Sequence, residues 1–505
     1  MSNQDYLRLK YERRRCIRAY QNALLLLSPL LLFYWTYPYR GSSDETLDFL
    51  NSFLPLYFIF ATTSLAYQVV RKVQGSIWTP FVWFPAQSAV FFGFGPLVEV
   101  FGSEVTQYKL DSHFLKLTSN ELFRAHKLSV SGVFAMLAGI LVSIRFSKRP
   151  WRQGRLEFTS SVDPLKLGIF FVFVGGLFKY CIVKPAQWGM IDILIPGVLS
   201  NLSDVISIGF AIIAFCAARG SRKAHIILAS TLPFHIFLSV LSLSKLEVII
   251  AVLLPVLGSY LGSNNLKRLS LRLFIIGVLF AVTQPFVEFG RSAILQRTNT
   301  IDLANYSERS ALLVDYVASL GEPMAYNEQA HEQSWWTRLS FAGPQIRAME
   351  LYDSGQANPQ LGSAWMYFVP RVIWPDKPIL YSPGLYLYRF LSQNDDGASN
   401  LGLSIYGDLY WQYGWAGVFI GCWIIGYITG ALSGVSLQAL RSREFLMMPY
   451  ILLVLQIGLF SPNKFVINGV VGPIPILVFY YLVTHLTVKH LRKKNAKSNA
   501  RVLKY

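Results

Sequence analysis

The chain has 505 residues, 53% of them hydrophobic and only 15% charged, a balance that excludes a soluble domain of this length. Its 46 basic against 28 acidic residues leave a net charge of +18, but the basic residues lie between long apolar runs, which points to membrane orientation rather than to nucleic acid. The four cysteines, Cys16, Cys181, Cys216 and Cys422, form no CxxC pair, so neither a zinc ribbon nor a disulfide scaffold is expected.

In chain order, a basic stretch precedes an apolar run from Ala23 with no small-x-small cleavage site, and it reads as a retained first span rather than a signal peptide. Crossing the hydrocarbon core as a helix takes about 20 apolar residues. Runs of that kind fall near 21–38, 50–70, 77–100, 128–144, 164–183, 199–218, 224–244, 246–262, 270–286, 414–434, 445–462 and 468–487. The expectation is an all-α polytopic membrane protein with about twelve transmembrane helices. Basic residues mark every second loop: Arg8 to Arg18, Arg71 and Lys72, Arg145 to Arg155, Arg219 to Lys223, Lys267 to Arg272, Arg441 and Arg443, and the tail from Lys489. The positive-inside rule then puts both termini in the cytoplasm. The chain divides into an N-terminal bundle of about nine spans (1–286), a large outer loop (287–413), C-terminal spans (414–487) and a basic cytoplasmic tail (488–505).

The outer loop is too long to be a plain connection, and Trp335, Trp336, Trp365, Trp374 and Trp411 argue that it folds. Helical stretches are predicted at 307–320 and 336–352, the second stopped by Asp353-Ser354-Gly355. The loop keeps many cations, among them Arg291, Arg309, Arg338, Arg347, Arg371 and Lys377. A long loop translocates largely regardless of charge, which accounts for part of this set. Arg291 stands at the outer end of a span, behind Glu288. Arg371, Trp374, Asp376 and Lys377 lie in a segment braced by Pro370, Pro375 and Pro378. Guanidinium groups on such a fixed backbone suit a phosphate or pyrophosphate ligand.

The next block, from Asn400 through Ser404, Tyr406, Asp408 and Tyr410 to Gly417, mixes hydroxyls, an amide, a carboxylate and aromatic faces just before a span. Flat apolar platforms beside hydrogen-bonding groups are what a sugar cleft needs, although an aromatic belt with a glycine-rich helix start has the same composition. Asp408 is the carboxylate of most interest, since one at a membrane edge is costly unless paired. Lys245 and Glu247 sit between two spans as an ion relay or an interfacial pair. Several chemistries lack their parts. There is no HExxH, no Walker loop and no GxSxG, and Asp395-Asp396 reads as a solvated loop, so no metal and no other cofactor is expected.

The Pro370-Arg371-x-x-Trp374-Pro375-Asp376-Lys377-Pro378 pattern, the Ser404 to Tyr410 stretch and Gly414-Trp415-x-Gly417 resemble the Wzy-type oligosaccharide repeat-unit polymerases. The specific part covers about 285–420; elsewhere the likeness is one of layout. The resemblance implies a GT-C-like, metal-independent, inverting glycosyltransferase in a bacterial inner membrane, working on its outer face. Donor and acceptor would both be undecaprenyl-pyrophosphate-linked oligosaccharides, with membrane lipids and a chain-length regulator as further partners and no nucleic acid. On this reading Asp408 is the base, while Arg371, Arg291 and Lys377 stabilise the leaving pyrophosphate. Trp374, Tyr406 and Tyr410 stack on sugars, Asp376, Ser404 and Asn400 bind substrate, and Arg338 and Arg347 gate or bind the donor. Two other readings stay open. An O-antigen ligase would need an essential loop histidine, for which only His331 is available; a lipid-linked oligosaccharide flippase would need charged residues inside its spans.

Overall fold

The long apolar runs fold as helices, which satisfy their own backbone polar groups where no water is at hand. A computed structural model describes residues 3–39, 41–112, 116–146, 162–192, 203–298, 305–319, 334–369, 373–374, 376–378, 382–392, 401–460, 466, 470–484 and 486–487. No strand occurs among these described residues. The protein is thus a polytopic, all-helical membrane protein, and its described residues hold fewer helices of spanning length than hydropathy predicts.

Among the described residues seven helices, rather than about twelve, are long and apolar enough to cross a membrane: Lys10–Thr36, Asp44–Lys72, Pro80–Phe101, Ser119–Phe146, Pro164–Gln187, Arg222–Leu241 and Ser404–Arg441. Four further apolar helices, Val205–Ala218, Glu247–Ser263, Phe445–Gly458 and Pro473–Thr484, are shorter. The 14 residues of Val205–Ala218 reach about 21 Å at 1.5 Å each, well short of a core of roughly 30 Å. A hydropathy window registers the apolar run and not the length of helix within it. The predicted run at 270–286 lies within the helix Leu266–Thr298, several of whose side chains are outside the described set.

The chain forms two compact units, and residues 287–413 are shared between them. The first comprises 1–157, 327–442 and 450–483. Its main helices are α1 (Asn3–Thr36), α2 (Asp44–Lys72), α3 (Pro80–Phe101) and α4 (Ser119–Phe146). The second comprises 158–326, 443–449 and 484–505, with α5 (Pro164–Gln187), α6 (Val205–Ala218), α7 (Arg222–Leu241), α8 (Lys245–Ser263), α9 (Leu266–Thr298) and α10 (Tyr306–Ser319). The first unit is completed by α11 (Ala342–Asp353) and α12 (Ser404–Arg441).

In the first unit the charges at the ends of α2 match its dipole, with Asp44 and Glu45 in the first turn, Arg71 and Lys72 in the last, and Ser43 as N-cap. The crossing of α4 with α12 depends on small residues. A methyl group at Gly139 would stand 2.1 Å from the Trp423 carbonyl oxygen, and one at Gly426 would stand 2.2 Å from that of Met136. Close backbone approach of this kind is how helices associate where burial from water supplies no drive. Arg13 of α1 donates to the Ile144 carbonyl at 3.1 Å, so the basic start of α1 meets the end of α4. Glu12 and Arg441 pair at 2.6 Å.

In the second unit α6 is buried on nearly every side, which accounts for its uniformly apolar sequence. A methyl group at Gly175 of α5 would meet the Ile206 nitrogen at 2.3 Å, and one at Gly258 of α8 would meet the Ala211 oxygen at 2.0 Å. The outer helices keep large apolar side chains exposed, among them Phe170 and Phe173 of α5, Phe234 and Phe237 of α7, and Leu271 and Phe274 of α9. Exposed apolar side chains on helices of this kind suit a lipid environment.

Candidate functional site

The first unit places the predicted block at the start of α12 and α11 beside it. Ser404 adopts a positive φ of 61° there, and its hydroxyl oxygen accepts from the Tyr406 amide at 3.2 Å and from Gln345 Nε2 at 2.7 Å. Ser129 in turn donates to Gln345 Oε1 at 3.2 Å. Asp408 is 0% exposed. Gln412 Nε2 donates to its Oδ1 at 2.7 Å and the Val466 amide donates to its Oδ2 at 2.8 Å. Gln412 Oε1 also accepts from the Leu361 amide at 2.9 Å. Asp408 therefore ties three segments together, with both oxygens engaged. Tyr406 is buried too, its ring against Gly132, where a methyl group would lie 2.2 Å away, and beside Phe92 at 4.9 Å.

A second carboxylate in the same unit is open to solvent. The Asp353 side chain is 45% exposed; its Oδ2 accepts from Arg124 at 2.9 Å and its Oδ1 from the Tyr410 hydroxyl at 3.0 Å. Aromatic rings surround it. Tyr352 and Trp415 both meet Tyr410 edge-on with centroids 5.3 Å away, and Trp35 stands 4.8 Å from Trp415. Lys127 Nζ lies 3.9 Å from the Trp35 centroid. The turn at Gly414 (φ 59°, ψ −150°) breaks the helix here, and a methyl group on it would strike the Tyr352 ring at 2.7 Å. The α1 end of this cluster, at Trp35, is remote along the helix from Arg13, so the cluster lies at the end of α1 and α4 opposite the basic one. Sequence reading missed Asp353, taking it for a helix stop, and nothing in its sequence neighbourhood distinguishes it.

The second unit collects charge. Residues 179–183 of α5 form a π turn, whose i→i+5 bonding stacks residues five apart. Lys179 and Lys184 thereby share one carboxylate, Glu247 at the start of α8: Lys179 Nζ lies 3.3 Å from Oε2, and Lys184 Nζ binds Oε1. Both lysine side chains are 7% exposed. Arg309 of α10, 1% exposed, stacks its guanidinium 4.2 Å from the Trp188 centroid and donates to the Leu241 and Ser242 carbonyls, each at 3.4 Å. Tyr306 packs edge-on against Trp188 at 4.5 Å and donates to the Tyr180 carbonyl at 3.0 Å. Burial pushes the Tyr306 phenol up to about 12, so it remains a donor at neutral pH. Two lysines in an otherwise apolar run were the available sequence signal, since ionisable residues inside a span are functional candidates by default. Of this cluster only Glu247, with Lys245, and Arg309 were noticed from the sequence.

The other predicted residues are dispersed. Lys377 Nζ donates to the Met366 and Val369 carbonyls at 3.2 and 3.1 Å, beside the end of the 3-10 helix Gln360–Phe368. Trp374 stacks on Trp365 with centroids 5.9 Å apart, and Asp376 is exposed. Arg347 pairs with Glu350 at 2.8 Å and Glu121 at 3.4 Å, while Arg338 is exposed beyond the short helix Ser334–Thr337. Arg371, Asn400 and His331 lie outside the described residues, as do the side chains of Arg291 and Lys245. Among the described residues no group of three or more His, Cys, Asp or Glu side chains is placed to hold a metal ion. Compared with protein families, with curated proteins and with solved structures, the chain matches none of them.

Proposed function

We propose that the protein is a membrane glycosyltransferase that joins undecaprenyl-pyrophosphate-linked oligosaccharides into a surface polysaccharide, as the Wzy-type polymerases it resembles do. The observation that carries this reading is the Lys179–Glu247–Lys184 cluster beneath Trp188. Two buried ammonium groups on one carboxylate, with Arg309 beside them, favour a ligand whose anionic group sits next to its lipid tail. In the reaction the acceptor hydroxyl oxygen attacks the anomeric carbon of the donor with inversion, and the bond from that carbon to the pyrophosphate oxygen breaks. The leaving pyrophosphate takes the electron pair and is stabilised by fixed cations, a role that metal ions fill elsewhere. The attacking hydroxyl passes its proton to a carboxylate.

Within the first unit Asp353 is the candidate for that carboxylate, because it meets solvent among aromatic rings. Asp408, first choice from the sequence, then holds the helix that carries Tyr410. Arg371 and Arg291 enter on the resemblance, as further contacts to the leaving group. The same reading includes a GT-C-like arrangement, a bacterial inner membrane with both termini cytoplasmic, chemistry on its outer face and a chain-length regulator as partner.

A second reading draws on the same cluster. Charged groups buried among apolar helices, such as Lys179, Lys184 and Glu247, also suit an exporter of lipid-linked oligosaccharide. One experiment separates the two: purified protein in liposomes is given a lipid-linked repeat unit, with and without chelator. A polymerase makes a ladder of products that survives chelation. Transfer of substrate across the bilayer with no new glycosidic bond would establish the exporter instead.

A further inference from the structure

We infer that the second unit binds an anionic glycerophospholipid, acyl chain inward and phosphate outward, in a cavity between α6, α7, α8 and α9. The cavity has a volume of about 420 Å³, within the range of roughly 300–1,000 Å³ usual for ligand pockets. Its inner wall is aliphatic, with Leu228 and Leu232 of α7 facing Val252 and Val256 of α8. Its rim is basic, formed by His225, Arg268 and Arg272. No carboxylate is among the described residues that line it. The gradient from hydrocarbon to guanidinium is that of a single phospholipid.

The rim is built rather than incidental. Arg272 donates through one guanidinium nitrogen to the Ser259 hydroxyl inside the cavity wall, which fixes the group at the mouth. His225 Nδ1 is held 3.0 Å from the Ser221 carbonyl. Gly258 and Gly262 draw α8 against α6 on the adjoining face, so the space lies beside a tight crossing rather than in a loose bundle. The location agrees with the chemistry. This end of the unit carries Arg219, Arg222, Lys223 and Lys267 as well, and basic pockets between helices at such an end select anionic headgroups. It lies at the other ends of α7 and α8 from Leu241 and Glu247, so the inference is independent of glycosyl transfer.

The test is lipid retention by the purified full chain. Detergent-solubilised protein is incubated with phosphatidylglycerol or phosphatidylcholine carrying the same acyl chains, washed, and the bound lipid counted by native mass spectrometry. Wild type should retain phosphatidylglycerol over phosphatidylcholine by about 25-fold, roughly five-fold for each arginine. Arg268→Gln, at an exposed position, should lose about five-fold of that preference, and Arg268→Gln/Arg272→Gln nearly all of it, with phosphatidylcholine retention unchanged. Val256→Trp, which fills the cavity, should lower retention of both lipids. Equal retention of the two lipids by wild type, or an undiminished preference in Arg268→Gln, overturns the proposal. So does displacement of phosphatidylglycerol by millimolar inorganic phosphate, which would mark a site for free anions.

Discussion

Asp408 and Glu247 are both carboxylates inside mainly apolar helices, and they are held differently. Asp408 accepts from an amide side chain and a backbone amide, within a network of neutral groups. Glu247 is gripped by two ammonium groups. A buried polar group that neutral donors satisfy specifies packing. Two buried lysines sharing one carboxylate leave one cation more than acid in that set, and taking such charge out of water is expensive. The comparison teaches that the first unit needs nothing further at Asp408, whereas the second retains attraction for an anion. It also distinguishes the units by what each leaves available: excess positive charge at the lysine cluster of the second, and in the first an exposed carboxylate, Asp353, among its rings.

The largest expected effect breaks that separation directly. Asp353→Asn should lower kcat by about 100- to 10,000-fold, the usual cost of losing a general base, with the donor KM nearly unchanged. Lys184→Met should instead raise the donor KM, by about 10- to 150-fold if one charged hydrogen bond is lost. Steady-state kinetics on the lipid-linked donor measures both. If Asp408→Asn, correctly folded, abolishes turnover while Asp353→Asn does not, the base is Asp408.

Next in size is Glu247→Gln, which strips the counter-charge from Lys179 and Lys184. Removing one partner of a buried ion pair costs about 3–5 kcal/mol, so the variant should melt well below wild type. Pyrophosphate should raise its Tm more than that of wild type, because the added anion takes the place of the lost carboxylate. Thermal melts with and without pyrophosphate decide it. An unresponsive variant would reduce the cluster to a structural ion pair.

How much of this was legible in the sequence follows from the range of each signal. Helicity, the membrane and the first apolar runs were legible because they depend on local composition. The span count was not, since a hydropathy window registers an apolar run and not the length of helix in it, which is 14 residues for Val205–Ala218. Ser404, Asp408 and Tyr410 were singled out as a block, yet only tertiary packing distinguishes sealed Asp408 and Tyr406 from Tyr410, which is itself buried but whose hydroxyl reaches the exposed Asp353. Asp353 and Arg124 are 229 residues apart, and no spacing rule pairs them. The Lys179–Lys184 alignment depends on a π turn, which an α-helical reading would place on different faces.

A smaller effect sharpens the first unit's side. Gly414→Ala should destabilise by about 1–3 kcal/mol, since a side chain at positive φ with ψ near −150° is strained. The methyl group would also press on Tyr352, so Trp415 and Tyr410 should shift and turnover should fall along with stability. Urea melts and rate measurements on the same sample check this. Loss of stability with full activity would remove the aromatic cluster from the reaction.

The smallest expected effect concerns Tyr406, which the sequence reading offered as a sugar platform beside Tyr410. It is 1% exposed, its ring packed on Gly132 and Phe92, and its hydroxyl meets the Ser88 side chain and, at 3.9 Å, the Met136 sulfur. Tyr406→Phe keeps the ring and forfeits the hydroxyl's bond to Ser88 and its weak sulfur contact, so stability should change by no more than about 1.5 kcal/mol, the upper range for one hydrogen bond. Turnover should stay within about two-fold of wild type, because a group with no access to solvent cannot stack on a sugar. Tyr410→Phe, by contrast, removes the hydroxyl that donates to Asp353 and should slow turnover clearly. Comparing the two variants in one assay isolates the hydroxyls, since each swap preserves ring and backbone. If Tyr406→Phe were the slower enzyme, the substrate would have to reach the Asp408 network, and the contrast between a sealed carboxylate and an open one would fail.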